Sequence, residues 1–108
     1  MTIAIDFDGT IHDFQHPKPG MRMGPPMEGA TEALRSFKEA GHTIVVFTVR
    51  GGDDGRRHVK EWMHYYHLPY DYVTNVKLPA DWYIDDRAIH FTNWTQASRR
   101  VFRNDPEA

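Results

Sequence analysis

Residues 2–10 read TIAIDFDGT, and this stretch decides the fold class. It is apolar and β-branched as far as Asp6, which is typical of a short strand buried in a parallel sheet. Asp6 and Asp8 follow at the end of this strand, and Gly9 permits the chain to coil away there. We therefore expect a buried first strand that carries two carboxylates at its carboxyl end.

The rest of the chain alternates between strand and helix patterns. Apolar runs predict a second buried strand at 43–48, weak short strands at 70–73 and 81–84, and a brief last strand at 88–91. Apolar residues at helical spacing predict helices at 30–40, at 57–66 and from the N-cap Asn93 to about 102. Strands that alternate with helices imply an α/β fold, a three-layer Rossmann-like parallel sheet with helices on both faces.

A length of 108 residues fits one domain, spanning 1–108. Between the first strand and the first helix, residues 10–29 are rich in Pro and Gly, and we expect a long loop that forms a flap over a site. Residues 104–108 are expected to fray as a terminal tail.

Composition excludes several classes of protein. Apolar residues make up 40% and charged residues 26%, which is ordinary for a soluble domain, and the net charge of −2 predicts neither nucleic-acid nor membrane binding. The absence of Cys rules out disulfides, thiolate catalysis and zinc–thiolate sites. Since no apolar run approaches the roughly 20 residues that cross a bilayer, and no signal peptide begins the chain, we expect a cytoplasmic protein.

Chemically active residues follow the predicted strands. In open parallel sheets, ligands bind outside the carboxyl ends of the strands. Acids there are costly unless they are paired or ligate a metal, and an all-oxygen set favours Mg²⁺. Lys77 would offset the negative charge and hold an anion, and the Thr48 hydroxyl and free backbone N–H groups could bind phosphate. The residues at these strand ends are Asp6, Asp8, Gly9, Thr48, Val49, Arg50, Lys77, Asp85 and Asp86.

Four segments resemble the motifs of the haloacid dehalogenase superfamily. DFDGT at 6–10 is similar to the first motif, FTVR at 47–50 to the second, Lys77 to the third and YIDD at 83–86 to the fourth. The resemblance covers residues 2 to about 91. One departure is that Lys77 lies only eight residues before Asp85, whereas many larger members space them more widely.

The resemblance implies a role for each motif residue. Asp6 would be the nucleophile that forms an aspartyl-phosphate, and Asp8 would be the general acid and then the general base. Mg²⁺ would be held by the carboxylates of Asp6 and Asp85 and by the backbone carbonyl of Asp8. Asp86 would bind the ion directly or through a hydrogen bond to one of its ligands. The phosphate would be bound by Gly9, Thr48, Val49, Arg50 and Lys77. For Arg50 a second role stays open, as a cap on the loop at Asp53 and Asp54.

A Mg²⁺-dependent phosphomonoesterase is therefore the leading hypothesis. The segments 10–29 and 68–77 are too short to fold as a cap domain, which predicts an open site bordered by His12 and His16. YIDDRA at 83–88 also resembles the phosphatase half of polynucleotide kinase–phosphatases, which suggests a phosphate on a nucleotide or a nucleic-acid end, although the net charge weakens the nucleic-acid version. A homo-oligomer partner could serve as the missing cap. The alternatives are a catalytically retired member of the family and a receiver-like phosphate-binding module.

Overall fold

A parallel four-stranded sheet organises the computed structural model, which describes residues 1–15 and 23–104. Within these residues the strands are β1 (Thr2–Asp6), β2 (Thr43–Phe47), β3 (Tyr72–Thr74) and β4 (Trp82–Ile84). The helices are α1 (Ala30–Glu39), α2 (Gly52–Tyr65) and α3 (Trp94–Asn104). The predicted α/β fold, a Rossmann-like parallel sheet flanked by helices, is confirmed. Residues 16–22 of the predicted flap, including His16, and residues 105–108 of the predicted tail lie outside the described residues.

The order of the strands places β1 inside the sheet. The order is β3-β2-β1-β4, and every neighbouring pair is parallel. Asp6 pairs in register with Phe47, and Ile5 pairs with Ile84. The carboxyl ends of β1, β2 and β4 therefore meet at one edge, which brings the residues that follow these strands together.

One face of the sheet carries the main core. Side chains alternate along a strand, so Ile3 and Ile5 share a face with their register partners Ile44 and Val46. Helix α1 and helix α2 both pack into this cluster, whose helical members are Leu34, Val59, Trp62 and Met63. Full burial of one such side chain is worth about 1.5–3 kcal/mol, so this cluster fixes the position of β1.

Helix α2 begins five residues earlier than the pattern predicted. Gly51 is its N-cap, and the Gly55 N–H donates to the Gly51 carbonyl at 2.9 Å. Asp53 and Asp54 lie in the first turn, where carboxylates interact favourably with the helix dipole. Each also forms an ion pair three residues on, with Arg56 and Arg57 respectively. These interactions outweigh the low helix propensity of GGDDG, which had suggested a loop.

The strand predicted at 88–91 is wrong, because these residues form irregular structure between β4 and α3. Within the described residues the sheet contains only β1 to β4, and residues 88–91 do not pair with its edge strand β4. Phe91 instead packs edge-on against Trp94, with ring centroids 5.3 Å apart. The start of α3 is as predicted, since Asn93 accepts a hydrogen bond from the Gln96 N–H at 2.9 Å.

Helix α3 is the most exposed of the described helices. Its large apolar side chains Trp94, Val101 and Phe102 are 76%, 54% and 65% exposed. Within the described parts of the chain, none of the helices combines the length and the apolar character that crossing a membrane requires.

Candidate functional site

A cleft of about 470 Å³ opens at the edge where β1, β2 and β4 end. Most of the predicted site residues line it; the lining residues are Asp6, Asp8, Phe14, Phe47, Thr48, Val49, Arg50, Asp85, Asp86 and Arg87. A larger concavity of about 860 Å³ lies along α3, but residues of that one helix line it and none of the predicted site residues does. The chemistry predicted from the sequence therefore belongs to the cleft.

A tight turn carries the chain out of β1 into the cleft. The N–H groups of Thr10, Ile11 and His12 all donate to the Phe7 carbonyl, at 3.3, 3.0 and 2.9 Å. Gly9 has a φ of +86°, and a Cβ there would lie 2.5 Å from Oδ2 of Asp86. Both features require glycine, so this residue lets the first and fourth motifs approach each other.

Gly9 was predicted to bind phosphate. In this structure its N–H donates to the His12 carbonyl at 2.9 Å, within the same turn. The structure thus shows a conformational role for Gly9, and its contact with phosphate stays a prediction.

Three carboxylates form a compact acidic cluster. Asp6, Asp85 and Asp86 each place an oxygen within 4.8 Å of the other two. The Arg87 N–H orients Asp85 by donating to its Oδ1 at 2.8 Å. The Thr10 hydroxyl makes a longer bond of 3.4 Å to Oδ1 of Asp86. The cluster joins the end of β1 to the end of β4.

The cluster has the properties of a cation site. Burial, and then the neighbouring charge of Asp85, raise the pKa of Asp6 from 3.8 to about 6, and a hydrogen bond with Asp86 adds to the effect. Carboxylates this close repel one another until a cation neutralises them. A set of converging carboxylates that offers only oxygen ligands fits Mg²⁺. This set contains three of the four residues that were predicted to bind the metal. The fourth, Asp8, was predicted to bind through its backbone carbonyl, and that role stays a prediction.

The side chain of Asp8 belongs to a different group. Arg50 donates to it twice, from Nε to Oδ2 at 3.0 Å and from Nη2 to Oδ1 at 2.9 Å. His12 lies 2.7 Å from Oδ1 through its Nδ1 atom. Burial acts to raise the pKa of Asp8, but these hydrogen bonds outweigh it, so the pKa lies below its ordinary value. Asp8 is therefore held as a carboxylate while Asp6, two residues away, holds its proton more tightly.

Contacts of both its backbone and its side chain hold Arg50 in position. Its N–H donates to Oγ1 of Thr48 at 3.1 Å, and its guanidinium carbon lies 5.7 Å from the centroid of the Phe7 ring. A Cβ at Gly55 would lie 2.6 Å from the Arg50 carbonyl, so glycine is needed for α2 to begin this close. The alternative role for Arg50, a cap on the loop at Asp53 and Asp54, is wrong, because these acids lie in α2 and pair with Arg56 and Arg57.

The remaining predicted phosphate ligands lie around the acidic cluster. Thr48 is 1% exposed, and a hydroxyl that accepts from Arg50 can still donate its own proton. Val49 is 82% exposed at the mouth of the cleft. Lys77 lines an adjoining pocket of about 180 Å³ that also contains Asp6 and Asp85. Its amine lies 5.1 Å from the centroid of the Tyr83 ring. The structure thus brings Lys77 to the flank of the cluster and leaves Thr48 inside the cleft.

Sequence reasoning missed two contributions to the cleft. His12 was expected to border a substrate, but it is buried and bonds to Asp8. Phe14 supplies an aromatic wall that no motif indicated. Neither could be found from local patterns, because both depend on how the turn after Phe7 folds back on itself.

The fold has a solved counterpart. The chain is similar to a conserved protein from Bacteroides thetaiotaomicron, with 26% sequence identity and a TM-score of 0.66 over 99% of this chain and 93% of that one. No family model matches the chain, and no curated protein matches it either. The similarity supports the α/β architecture, and the function rests on the chemistry of the cleft.

Proposed function

We propose that this protein is a Mg²⁺-dependent phosphomonoesterase of the haloacid dehalogenase type. The observation that carries the proposal is that one cleft contains both the acidic cluster, to which Asp6 belongs, and the Arg50–Asp8 pair. The cluster suits a divalent cation, and the pair offers a proton carrier and a guanidinium that suits phosphate. We retain the cytoplasmic location predicted from the sequence as part of this proposal.

The proposed reaction has two displacements. In the first, a carboxylate oxygen of Asp6 attacks phosphorus, the bond from phosphorus to the ester oxygen breaks, and Asp8 gives its proton to the leaving alkoxide. In the second, Asp8 takes a proton from water, the water oxygen attacks phosphorus, and the Asp6 carboxylate is released. Mg²⁺ held by Asp6, Asp85 and Asp86 would supply the positive charge that lets an anionic nucleophile approach an anionic phosphate.

Arg50 must change partner during this reaction. While both of its hydrogen bonds go to Asp8, that carboxylate is stabilised in the form that lacks the proton. An arriving phosphate offers the guanidinium a second bidentate acceptor of higher charge. Transfer of Arg50 to the phosphate frees Asp8 to take up a proton from solvent, so binding of the substrate would prepare its own acid.

The Arg50–Asp8 pair also favours a second candidate, a phosphate-binding module without turnover. A protein of this fold that has lost its activity, because Asp8 stays paired with Arg50, would still bind phosphate and a cation. An assay of phosphate release with Mg²⁺ and with excess chelator separates the two candidates. Release that requires Mg²⁺ and disappears in Asp6→Asn supports the enzyme, whereas binding of phosphate without release supports the module.

The proposed substrate is a phosphate on a nucleotide or a nucleic-acid end. Among the described residues the cleft is open, and its mouth at Val49 is exposed, so a long substrate could enter. The test compares kcat/KM for a phosphorylated oligonucleotide with that for the matching mononucleotide at two salt concentrations. A preference for the oligomer that fades with salt supports the nucleic-acid version. A preference for the small molecule instead favours the predicted homo-oligomer, in which a second subunit covers the cleft.

A further inference from the structure

His12 is fully enclosed beside the proposed acid. It is 1% exposed and lies between two aromatic rings. The Phe7 ring stacks on it with centroids 5.1 Å apart and planes at 16°, and the Trp62 ring meets it at 72° with centroids 5.3 Å apart. These contacts fix the plane of the imidazole, and hydrogen bonds to Asp8 and Gly24 determine where its two nitrogens point.

The partners determine which ring nitrogen holds the proton. The backbone N–H of Gly24 donates to Nε2 of His12 at 2.8 Å. A backbone N–H can only donate, so Nε2 must present its lone pair, and a neutral ring then has its proton on Nδ1. That proton points at Oδ1 of Asp8, 2.7 Å away. His12 is thus a hydrogen-bond donor to Asp8.

Gly24 is itself held in place. Its carbonyl accepts a hydrogen bond from Nε1 of Trp62 at 2.9 Å, so Trp62 both packs against His12 and anchors the residue that orients it. The strand-like contacts of His12 with Asp8 and Pro26 tie the same segment to the turn after β1. This chain of contacts runs from a core residue of α2 to the carboxylate in the cleft.

The two oxygens of Asp8 have different partners. Oδ1 accepts from His12 and from Nη2 of Arg50, whereas Oδ2 accepts from Nε of Arg50. If Arg50 moves to a bound phosphate, His12 still holds Oδ1, and Oδ2 becomes free. The substrate then meets one oxygen of Asp8 in a fixed direction.

We propose that His12 is a positioning residue that holds Oδ1 of Asp8, so that Oδ2 is the oxygen that transfers the proton. In the first displacement the O–H bond at Oδ2 breaks, its proton goes to the leaving alkoxide, and the bond between phosphorus and that alkoxide breaks as Asp6 bonds to phosphorus. In the second, Oδ2 receives a proton from the attacking water. This inference rests on the proposed phosphomonoesterase function.

The test uses two substitutions that separate the functions of the two ring nitrogens. His12→Asn places an amide N–H near the position of Nδ1 and keeps a donor to Asp8, whereas His12→Gln places its amide near Nε2 and loses that donor. His64→Gln is the matched control, since His64 is exposed on α2. For each protein, kcat and KM are measured on an alkyl phosphate and on 4-nitrophenyl phosphate, whose leaving group needs little protonation.

His12→Gln should lower kcat for the alkyl phosphate by about 10²-fold, because a positioned general acid contributes 10²–10⁴-fold. The loss with 4-nitrophenyl phosphate should be several-fold at most, KM should stay near that of the wild type, and His12→Asn should recover part of kcat. Equal losses with both substrates, or equal effects of the two variants, would mean that His12 only supports the fold and would overturn the inference.

Two further outcomes are distinguishable. A wild-type protein that releases no phosphate from either ester contradicts the proposed function itself, whatever the variants do. If the His12 variants do not fold, long-range ¹H–¹⁵N spectra of the wild-type protein decide the matter, with His12 assigned through the backbone. A proton on Nδ1 supports the inference, and a proton on Nε2 overturns it.

Discussion

Asp6 and Asp8 are two residues apart, yet their surroundings shift their pKa values in opposite directions. Burial and the neighbouring Asp85 raise the pKa of Asp6 to about 6. Arg50 and His12 overcome the effect of burial at Asp8 and lower its pKa. Such a divergence is typical of sites where two carboxylates have different tasks. Here the raised pKa reflects the place of Asp6 in the acidic cluster, and the lowered pKa reflects the hydrogen bonds of Asp8 with Arg50 and His12.

The first prediction concerns Asp6, the proposed nucleophile. Asp6→Asn should abolish phosphate release while the protein stays folded, because an amide has nearly the same shape but does not attack phosphorus. Phosphate release and the circular dichroism spectrum are measured on the same preparation. Residual Mg²⁺-dependent turnover in a carefully purified Asp6→Asn protein would exclude the covalent mechanism.

The second prediction concerns the stability of the metal-free protein. Because the folded pKa of Asp6 is raised from 3.8 to about 6, its contribution to stability is complete below pH 3.8 and is lost as the pH rises through 6. Asp6→Asn should therefore raise the Tm of the metal-free protein at pH 8 relative to the wild type, and change it less at pH 4. A Tm difference that does not depend on pH would contradict the cluster.

Asp8 should show the opposite dependence. Its folded pKa is lowered, so its contribution is present above the unfolded value and is lost as the pH falls through the folded one. Asp8→Asn should accordingly lower the Tm at pH 7 more than at pH 3.

The third prediction concerns metal binding. Mg²⁺ at saturation should raise the Tm, and the increase should be larger at pH 8 than at pH 5, because a cation competes with the proton on Asp6. Asp85→Asn should remove most of the increase. Asp54→Asn is the control, since Asp54 lies in α2 and pairs with Arg57. An unchanged Tm in the wild type at high Mg²⁺ would mean that the three acids do not form a cation site.

Much of the fold and most of the site residues followed from local patterns, whereas the contacts around Asp8 did not. Strong apolar runs such as TIVVF predicted buried strands correctly, because the core selects side chains at those positions. The acids of β1 and β4 could be placed together from the rule that parallel strands end at one edge. The ion pair of Arg50 with Asp8 could not be predicted, since the same rule brings the strand ends together without saying which side chains pair there. The helical first turn at Asp53 was also missed, because dipole and ion-pair effects there exceed residue propensity.

The fourth prediction concerns Arg50. Arg50→Met removes both hydrogen bonds to Asp8, so the pKa of Asp8 should rise towards its ordinary value, which ¹³C carboxyl shifts can follow. Under the proposed function the same change should lower kcat/KM by about 10²-fold, the typical effect of losing one preorganised donor to a transition state. Arg57→Met, at an exposed position of α2, is the control. An Arg50→Met protein with unchanged kcat/KM would mean that the guanidinium never reaches the substrate.

The last prediction uses two glycines with almost the same backbone conformation. Gly9 has φ +86° and Gly29 has φ +85°, so an alanine is strained at either position, by roughly 1–2 kcal/mol. A Cβ at Gly9 would lie 2.5 Å from Oδ2 of Asp86, whereas a Cβ at Gly29 would meet nothing within 4 Å. Both Gly9→Ala and Gly29→Ala should therefore lower the Tm of the metal-free protein, and Gly9→Ala should lower it at least as much, because its methyl group must also displace Asp86.

The two variants should differ once Mg²⁺ is added. In Gly9→Ala the methyl group must displace the Asp86 carboxylate. This displacement changes the distances from Asp86 to Asp6 and Asp85, the other two members of the acidic cluster. The Mg²⁺-dependent increase in Tm should then be reduced or absent, while Gly29→Ala keeps the wild-type increase. Equal increases in both variants would show that Asp86 can move without cost to the cation site, and would leave Asp6 and Asp85 as its essential ligands.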